Sequence, residues 1–171
     1  MAHPLVIIVD EHDAVIGSAR LEEVWQKGLY HRIVRIMVED DQGRILLQKR
    51  SADMELYPNC WGESGSGHVD AGETYDHAAV RELKEEVGIK GLPLKAIANY
   101  QTHGTYQGRI LNRFNRVYRA RFTQDTPMHA DREEVSDVQW FTLATIRELI
   151  ANHPDQVTDG LTDVIKSCYP A

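Results

Sequence analysis

Six carboxylates, two histidines and three glycines lie between Gly67 and Ile89, in the stretch GHVDAGETYDHAAVRELKEEVGI. Three of the carboxylates, Glu82, Glu85 and Glu86, are close enough in sequence to repel one another on adjacent helical turns. The pattern predicts a helix from about Thr74 to Val87, ended by Gly88. With Glu82 at zero on a wheel of about 100° per residue, Glu86 falls at about +40° and Glu85 at about −60°, while Val80, Leu83 and Val87 fall between about +100° and +160°. The expectation is an apolar stripe of Val80, Leu83 and Val87 docked on a sheet, beside an exposed stripe of three carboxylates. Crowded carboxylates either stay solvated or coordinate a hard dication. Mg²⁺ and Mn²⁺ prefer oxygen ligands and usually share them with substrate phosphates. Arg81 can brace one carboxylate through a bidentate bond. The glycines of GHVDAG can bring a backbone carbonyl to the same metal. Taken alone, E-L-K-E-E is most often a solvated helix face.

Stepping outward along the chain, LVIIVD (Leu5 to Asp10) and VIGSAR read as strands joined by a turn, with a short helix from Leu21 to Gln26. RIVRIMVED (Arg32 to Asp40) and RILLQKR (Arg44 to Arg50) read as a hairpin closed by DDQG. SADMELYPNCWGESGSG reads as irregular because of Pro58 and its glycines. LPLKAIANYQTHG and RILNRFNRVYRARF are two longer strands, EVSDVQWF (Glu134 to Phe141) another, and TLATIRELIANH and TDGLTDVIKSCY two helices. This order suggests a mixed sheet with helices on both faces.

The 171 residues suit one domain, with no repeat or low-complexity linker, and 42% hydrophobic and 26% charged residues are an ordinary globular balance. A formal net charge of −7 argues against nucleic acid or anionic membrane as a partner. An anionic substrate would then need a cation to offset repulsion. Cys60 and Cys168 form no C-x-x-C pair, so neither zinc nor a disulfide framework is suggested. MAHPLVIIVDEHD lacks a basic n-region and a cleavage site. A cytoplasmic protein is expected, its oligomeric state left open.

The longer spacing is Gly67, five residues, Glu73, seven residues, Arg81-Glu82-Leu83, one residue, Glu85-Glu86, one residue, Gly88-Ile89. A chance match is on the order of one in ten million. With every defined position present, the chain resembles the Nudix hydrolases. The resemblance implies an α/β fold, an α/β/α sandwich with a mixed β-sheet and a loop–helix–loop motif, as a single domain over 1–171 with an N-terminal β-hairpin extension at about 4–30. It implies that Glu85 and Glu86 hold Mg²⁺ or Mn²⁺. Glu82 is then a further ligand or the base for water, the Gly67 carbonyl a frequent ligand, and Arg81 and Glu73 the brace. The implied reaction is hydrolysis of a diphosphate linkage in a small molecule, such as a nucleoside diphosphate derivative. Glu133 and Glu134 are candidates for a base outside the box, or else belong to a charged turn.

VDEHDAVIG, KGLYHR, GRILLQKRS and YPNCWGESGSGH are similar to isopentenyl diphosphate isomerases and the hydrolases near them. An isomerase needs a cysteine where Ser66 stands, and a thiol is a far better acid than a hydroxyl. It also needs a metal-binding histidine where Val24 and Trp25 stand, and two glutamates on the strand that here reads RILNRFNRVYRARF. These losses favour hydrolysis, and His31 and His68 then read as structural. Binding without cleavage is a third possibility, against which the intact box argues. Arg109, Arg113, Arg119 and Arg121 alternate onto one strand face and Arg116 onto the other; some could hold a phosphate, and most are expected in solvent. Tyr100, Tyr106, Phe114 and Trp61 could stack on a base or belong to the core.

Overall fold

The computed structural model describes residues 4–171; Met1 to His3, part of the N-terminal reading, lie outside the described residues. Strand β3 (His31–Glu39) organises the sheet. One edge runs parallel to β8 (Arg109–Arg121), from His31 opposite Arg113 to Glu39 opposite Arg121. The other edge is shared in succession by β1 (Leu5–Val9), β6 (Gly65–His68) and β4 (Ile45–Arg50), all antiparallel. Strand β2 (Val15–Arg20) extends β1, β7 (Lys95–Tyr106) extends β8, and β5 (Trp61–Gly62) and β9 (Val135–Phe141) flank β4. Gln107 and Gly108, both at positive φ (47° and 79°), form the two-residue turn that joins β7 to β8 with the twist of a tight hairpin.

Helices cover both faces, which is why IVRIMV reads as a nearly unbroken apolar run. Val34, Ile36 and Val38 pack under α2 (Tyr75–Val87). On the opposite face Met37, Leu47 and Val117 pack under α3 (Leu143–Asn152) and α4 (Asp159–Cys168). A third cluster seats α1 (Leu21–Lys27) against Val6, Ile8 and Leu111. The fold is an α/β sandwich around a mixed sheet. Among the described residues, no helix is long and apolar enough to cross a membrane.

Two expectations need correction. The segment read as irregular contains β5 and β6; GSGH has no strand pattern of its own and is strand because β3 supplies its hydrogen bonds. On α2, Val80 is 51% exposed and does not dock. Tyr75, Ala78 and Ala79 are buried as well as Leu83 and Val87, so the buried arc is centred closer to Glu82 and Glu86 than to Val80. Small alanines allow the close approach that carries those glutamates inward.

Candidate active site

Helix α2 starts at Thr74, whose side chain accepts from the His77 N–H at 3.2 Å, and stops at Gly88, φ 71°. Gly88 serves a second purpose. A Cβ there would lie 2.6 Å from the His129 carbonyl oxygen, and the chain beyond β8 docks at this point, His129 N–H and Asp131 N–H donating to the Val87 and Glu86 carbonyls. That docking brings Glu134 to α2.

Arg81 is the centre of the bracing. Its Nε and one Nη hold Glu73 bidentately, at 2.6 and 2.9 Å, and the same Nη reaches the His68 carbonyl at 3.0 Å. The other Nη donates to Glu82 at 2.8 Å and to Glu85 at 3.2 Å. The bond from Arg81 holds the Glu73 carboxyl below its usual range, despite partial burial, and Glu73 also accepts from the Asp70 N–H. The helix is thereby tied to the loop that carries Gly67. At Gly67 any Cβ would overlap the Glu82 carboxyl, which lies directly on the backbone. A side chain here would displace the Glu82 carboxyl from this position.

The three helix glutamates differ in surroundings. The Glu85 side chain is 52% exposed. Glu82 is tucked in, and burial pushes its carboxyl up to about 8 against the pull of Arg81, with Glu85 and Glu134 adding repulsion. Glu86 is only 2% exposed, contrary to the exposed stripe expected of it. It accepts from Gln48 Nε2 at 2.6 Å and from the Ser66 N–H at 2.8 Å, and burial, then Glu82, raises its carboxyl well above the usual range. Among the described residues, no three His, Cys, Asp or Glu side chains converge as a metal cage. Glu86 points to Gln48 and Glu82 to Arg81.

All three line a cavity of about 420 Å³, and Glu134 lines it too. Burial, then Asp131 and Glu85, raises the Glu134 carboxyl. Glu133 is exposed and does not line the cavity. Gln48, Arg50, Arg35 and Asp159 carry no local signal of a site role, because their partners are 16 or more residues distant or in loops; Arg113, one of the arginines read as phosphate-holding or solvated, is 5% exposed and paired with Asp159. None of Tyr100, Tyr106, Phe114 and Trp61 lines the cavity; its aromatic walls are Trp25 and Tyr57. His31 stacks on His68 with ring centroids 5.5 Å apart, and the Trp25 ring lies 6.3 Å from His68. Burial depresses His31 to about 4, so it is neutral at pH 7, its Nδ1 bonded to the Leu29 carbonyl at 3.0 Å.

The family model for the NUDIX domain matches residues 29–161. This chain belongs to the Nudix family. Its branch lies near isopentenyl diphosphate isomerase: it is 37% identical over 162 residues to isopentenyl-diphosphate Delta-isomerase 2 of Photorhabdus laumondii, covering 94% of this chain and 90% of that protein. It is 41% identical over 92 residues to an uncharacterized Nudix hydrolase of Streptomyces coelicolor, covering 54% of this chain and 51% of that one. The crystal structure of DR0079 from Deinococcus radiodurans superposes with a TM-score of 0.78 at 24% identity, over 96% of this chain and 99% of the other. In this Nudix chain the matched residues begin after the β1–β2 hairpin and α1.

Proposed function

We propose that this Nudix enzyme hydrolyses a diphosphate linkage in a small molecule, a nucleoside diphosphate derivative being the substrate class that fits. The whole chain acts as one unit, with the β1–β2 hairpin as an extension of the matched domain. The observation that carries this reading is the excess of buried carboxylate at one end of the cavity: Glu82 and Glu86 both resist ionisation there, with Arg81 the cation bonded to Glu82. Hard oxygen donors under mutual repulsion suit Mg²⁺ or Mn²⁺, and Glu82, Glu85, Glu86 and the Gly67 carbonyl are the residues that would hold it. When bound, such a cation offsets the charge of a diphosphate and makes water a better nucleophile at neutral pH.

The chain's own residues supply the rest. Arg81 and Glu73 lock the helix to the Gly67 loop, and Gln48 with the Ser66 N–H fixes the Glu86 carboxylate. Ionised Glu134, or Glu82 where it does not hold the cation, is suited to take a proton onto a carboxylate oxygen as water adds to phosphorus and the bridging P–O bond breaks, the phosphate departing as leaving group. Arg50 lines the same end and favours ionised Glu86 and Glu134.

A second reading, rearrangement of isopentenyl diphosphate, is favoured by the named function of the Photorhabdus relative. Against it, Ser66 stands at the thiol position and Trp25 packs beside His68 where a metal-binding histidine is needed. One panel separates the two. Phosphate or nucleotide release is measured from nucleoside di- and triphosphates, nucleotide sugars and isopentenyl diphosphate with Mg²⁺ or Mn²⁺. The Glu85→Gln, Glu86→Gln double variant is the control. Release that requires the metal and both glutamates supports hydrolysis; rearranged isopentenyl diphosphate without released phosphate refutes it.

A further inference from the structure

Glu134 reaches the cavity from a turn, while Glu133 beside it is exposed. Three sets of bonds fix that turn. On one side it is tied to α2, where the Asp131 N–H donates to the Glu86 carbonyl at 2.9 Å. Within the turn, the Asp131 carboxylate accepts from the Glu133 N–H at 3.0 Å, and the Asp131 carbonyl accepts from the Glu134 and Val135 N–H groups at 3.2 and 2.8 Å. On the other side it is tied to Ser51, the residue that follows β4. Ser51 donates its N–H to the Glu134 carbonyl at 2.8 Å and its hydroxyl to the Glu133 carbonyl at 2.7 Å. The strand register brings these groups together. Lys49 pairs with Asp137 and Arg50 with Val135, so β9 carries one extra residue, Ser136, over one step of β4. Such a bulge re-aims the chain next to it. Here it sets Glu134 against Ser51, and the next residue, Val135, is anchored in the core at 0% exposure.

Ser51 is 7% exposed and does not line the cavity. Its backbone N–H alone would continue the contact between β4 and β9. The hydroxyl adds something a ladder does not require, because it holds the preceding carbonyl as well. The two carbonyls belong to the rigid peptide units on either side of the Glu134 Cα. With both units held, the direction of the Glu134 side chain is set and only its own torsions stay free. A carboxylate that takes a proton must lie within hydrogen-bond reach of the water it serves, and a misplacement of about 1 Å can cost about 100-fold in rate. Arg50, across the bulge from Val135, lines the same cavity, so one irregularity in the sheet delivers an acid and a cation together. We infer that Ser51 is a positioning residue whose hydroxyl, with the β9 bulge, holds Glu134 at the cavity for proton transfer, an inference that rests on the hydrolase reading and on Glu134 as proton acceptor within it.

The test is a double-mutant cycle on Ser51→Ala and Glu134→Gln, run with whichever compound of the phosphate-release panel the wild type cleaves fastest. Ser51→Ala should lower kcat about 10- to 100-fold, with KM and the affinity for Mn²⁺, read by electron paramagnetic resonance, within about twofold of wild type. In the Glu134→Gln background the same substitution should cost less than about twofold more, because no carboxylate is left to position. A serine that only stabilised the fold would lower the urea midpoint and leave the two losses multiplicative. Ser51→Cys, whose thiol is a weak donor, carries the same cycle should Ser51→Ala not fold. Unchanged kcat in Ser51→Ala, full activity in Glu134→Gln, or multiplicative losses in the double variant would overturn the assignment and leave the hydrolase reading standing. A wild type that hydrolyses no diphosphate would sink the hydrolase reading, and the assignment with it.

Discussion

Two charge clusters are buried in one cavity, and they are built on opposite plans. At the α4 end each cation has a carboxylate: Arg35 with Glu63, Arg113 with Asp159. Burial opposes the charge on Arg35, yet Glu63 leaves its pKa raised overall. At the α2 end Glu82 and Glu86 are buried near each other and neither keeps a normal carboxylate pKa. A matched pair is a finished piece of structure, although its net contribution to stability is small. Two buried acids of which only Glu82 has a cation bonded to it, Arg81, are a cost to the fold, and such costs gather at functional sites. The difference sets the glutamates of α2 apart from the matched pairs that line the same cavity.

The largest test of this contrast is Glu86→Gln. Turnover should fall by about a thousandfold or more, read as metal-dependent phosphate release, while the metal-free protein melts no lower than before. Full activity in this variant would remove Glu86 from the site. Glu63→Ala should behave oppositely, lowering unfolding free energy in urea by about 3–5 kcal/mol because Arg35 is left buried and unpaired. A loss below about 1 kcal/mol would show that the matched end is not compensated as described.

A smaller effect is expected from Arg81→Lys. An ammonium cannot hold Glu73 bidentately and reach Glu82 together, so kcat/KM should drop about 10- to 100-fold with the fold intact by circular dichroism. The smallest effect concerns pH. The Glu82 carboxyl titrates at about 8 in the metal-free fold, above its ordinary 4.5. Between those values the folded state holds more protons than the unfolded chain, so this group's contribution to stability is present at low pH and is lost as pH rises toward 8. Added Mg²⁺ should therefore raise the melting temperature more at pH 8 than at pH 5, by a few degrees, at about 2–4 °C per kcal/mol for a chain of this size. An equal Mg²⁺ effect at both pH values would contradict the assignment of Glu82 to the cation site.

Much of this was readable in one dimension. The spacing from Gly67 to Ile89 named the family, and the Thr74 cap and Gly88 stop bounded α2 correctly. These features depend on neighbours a few residues apart. The misreadings share one cause. Val80 looked like core until the alanines turned the helix, GSGH looked like loop until β3 bonded to it, and the strand arginines gave no sign that Arg113 alone would be sealed by pairing with Asp159 of α4. The glutamate box also read as one stripe of three equal ligands. In the fold Glu85 is half open, Glu82 lies on the Gly67 backbone, and Glu86 is sealed against Gln48.

The sequence by itself determined the family and the bounds of helix α2, because helix period and glycine geometry act over short chain distances, and resemblance to the family pointed to Arg81 and Glu73 as its brace. Only the tertiary structure decided which carboxylates lose their water, that Glu134 rather than Glu133 reaches the cavity, and that the Arg35–Glu63 and Arg113–Asp159 pairs line it too. Desolvation and charge pairing depend on atoms brought together from β3, β8, α2 and α4, and no local pattern encodes that sum.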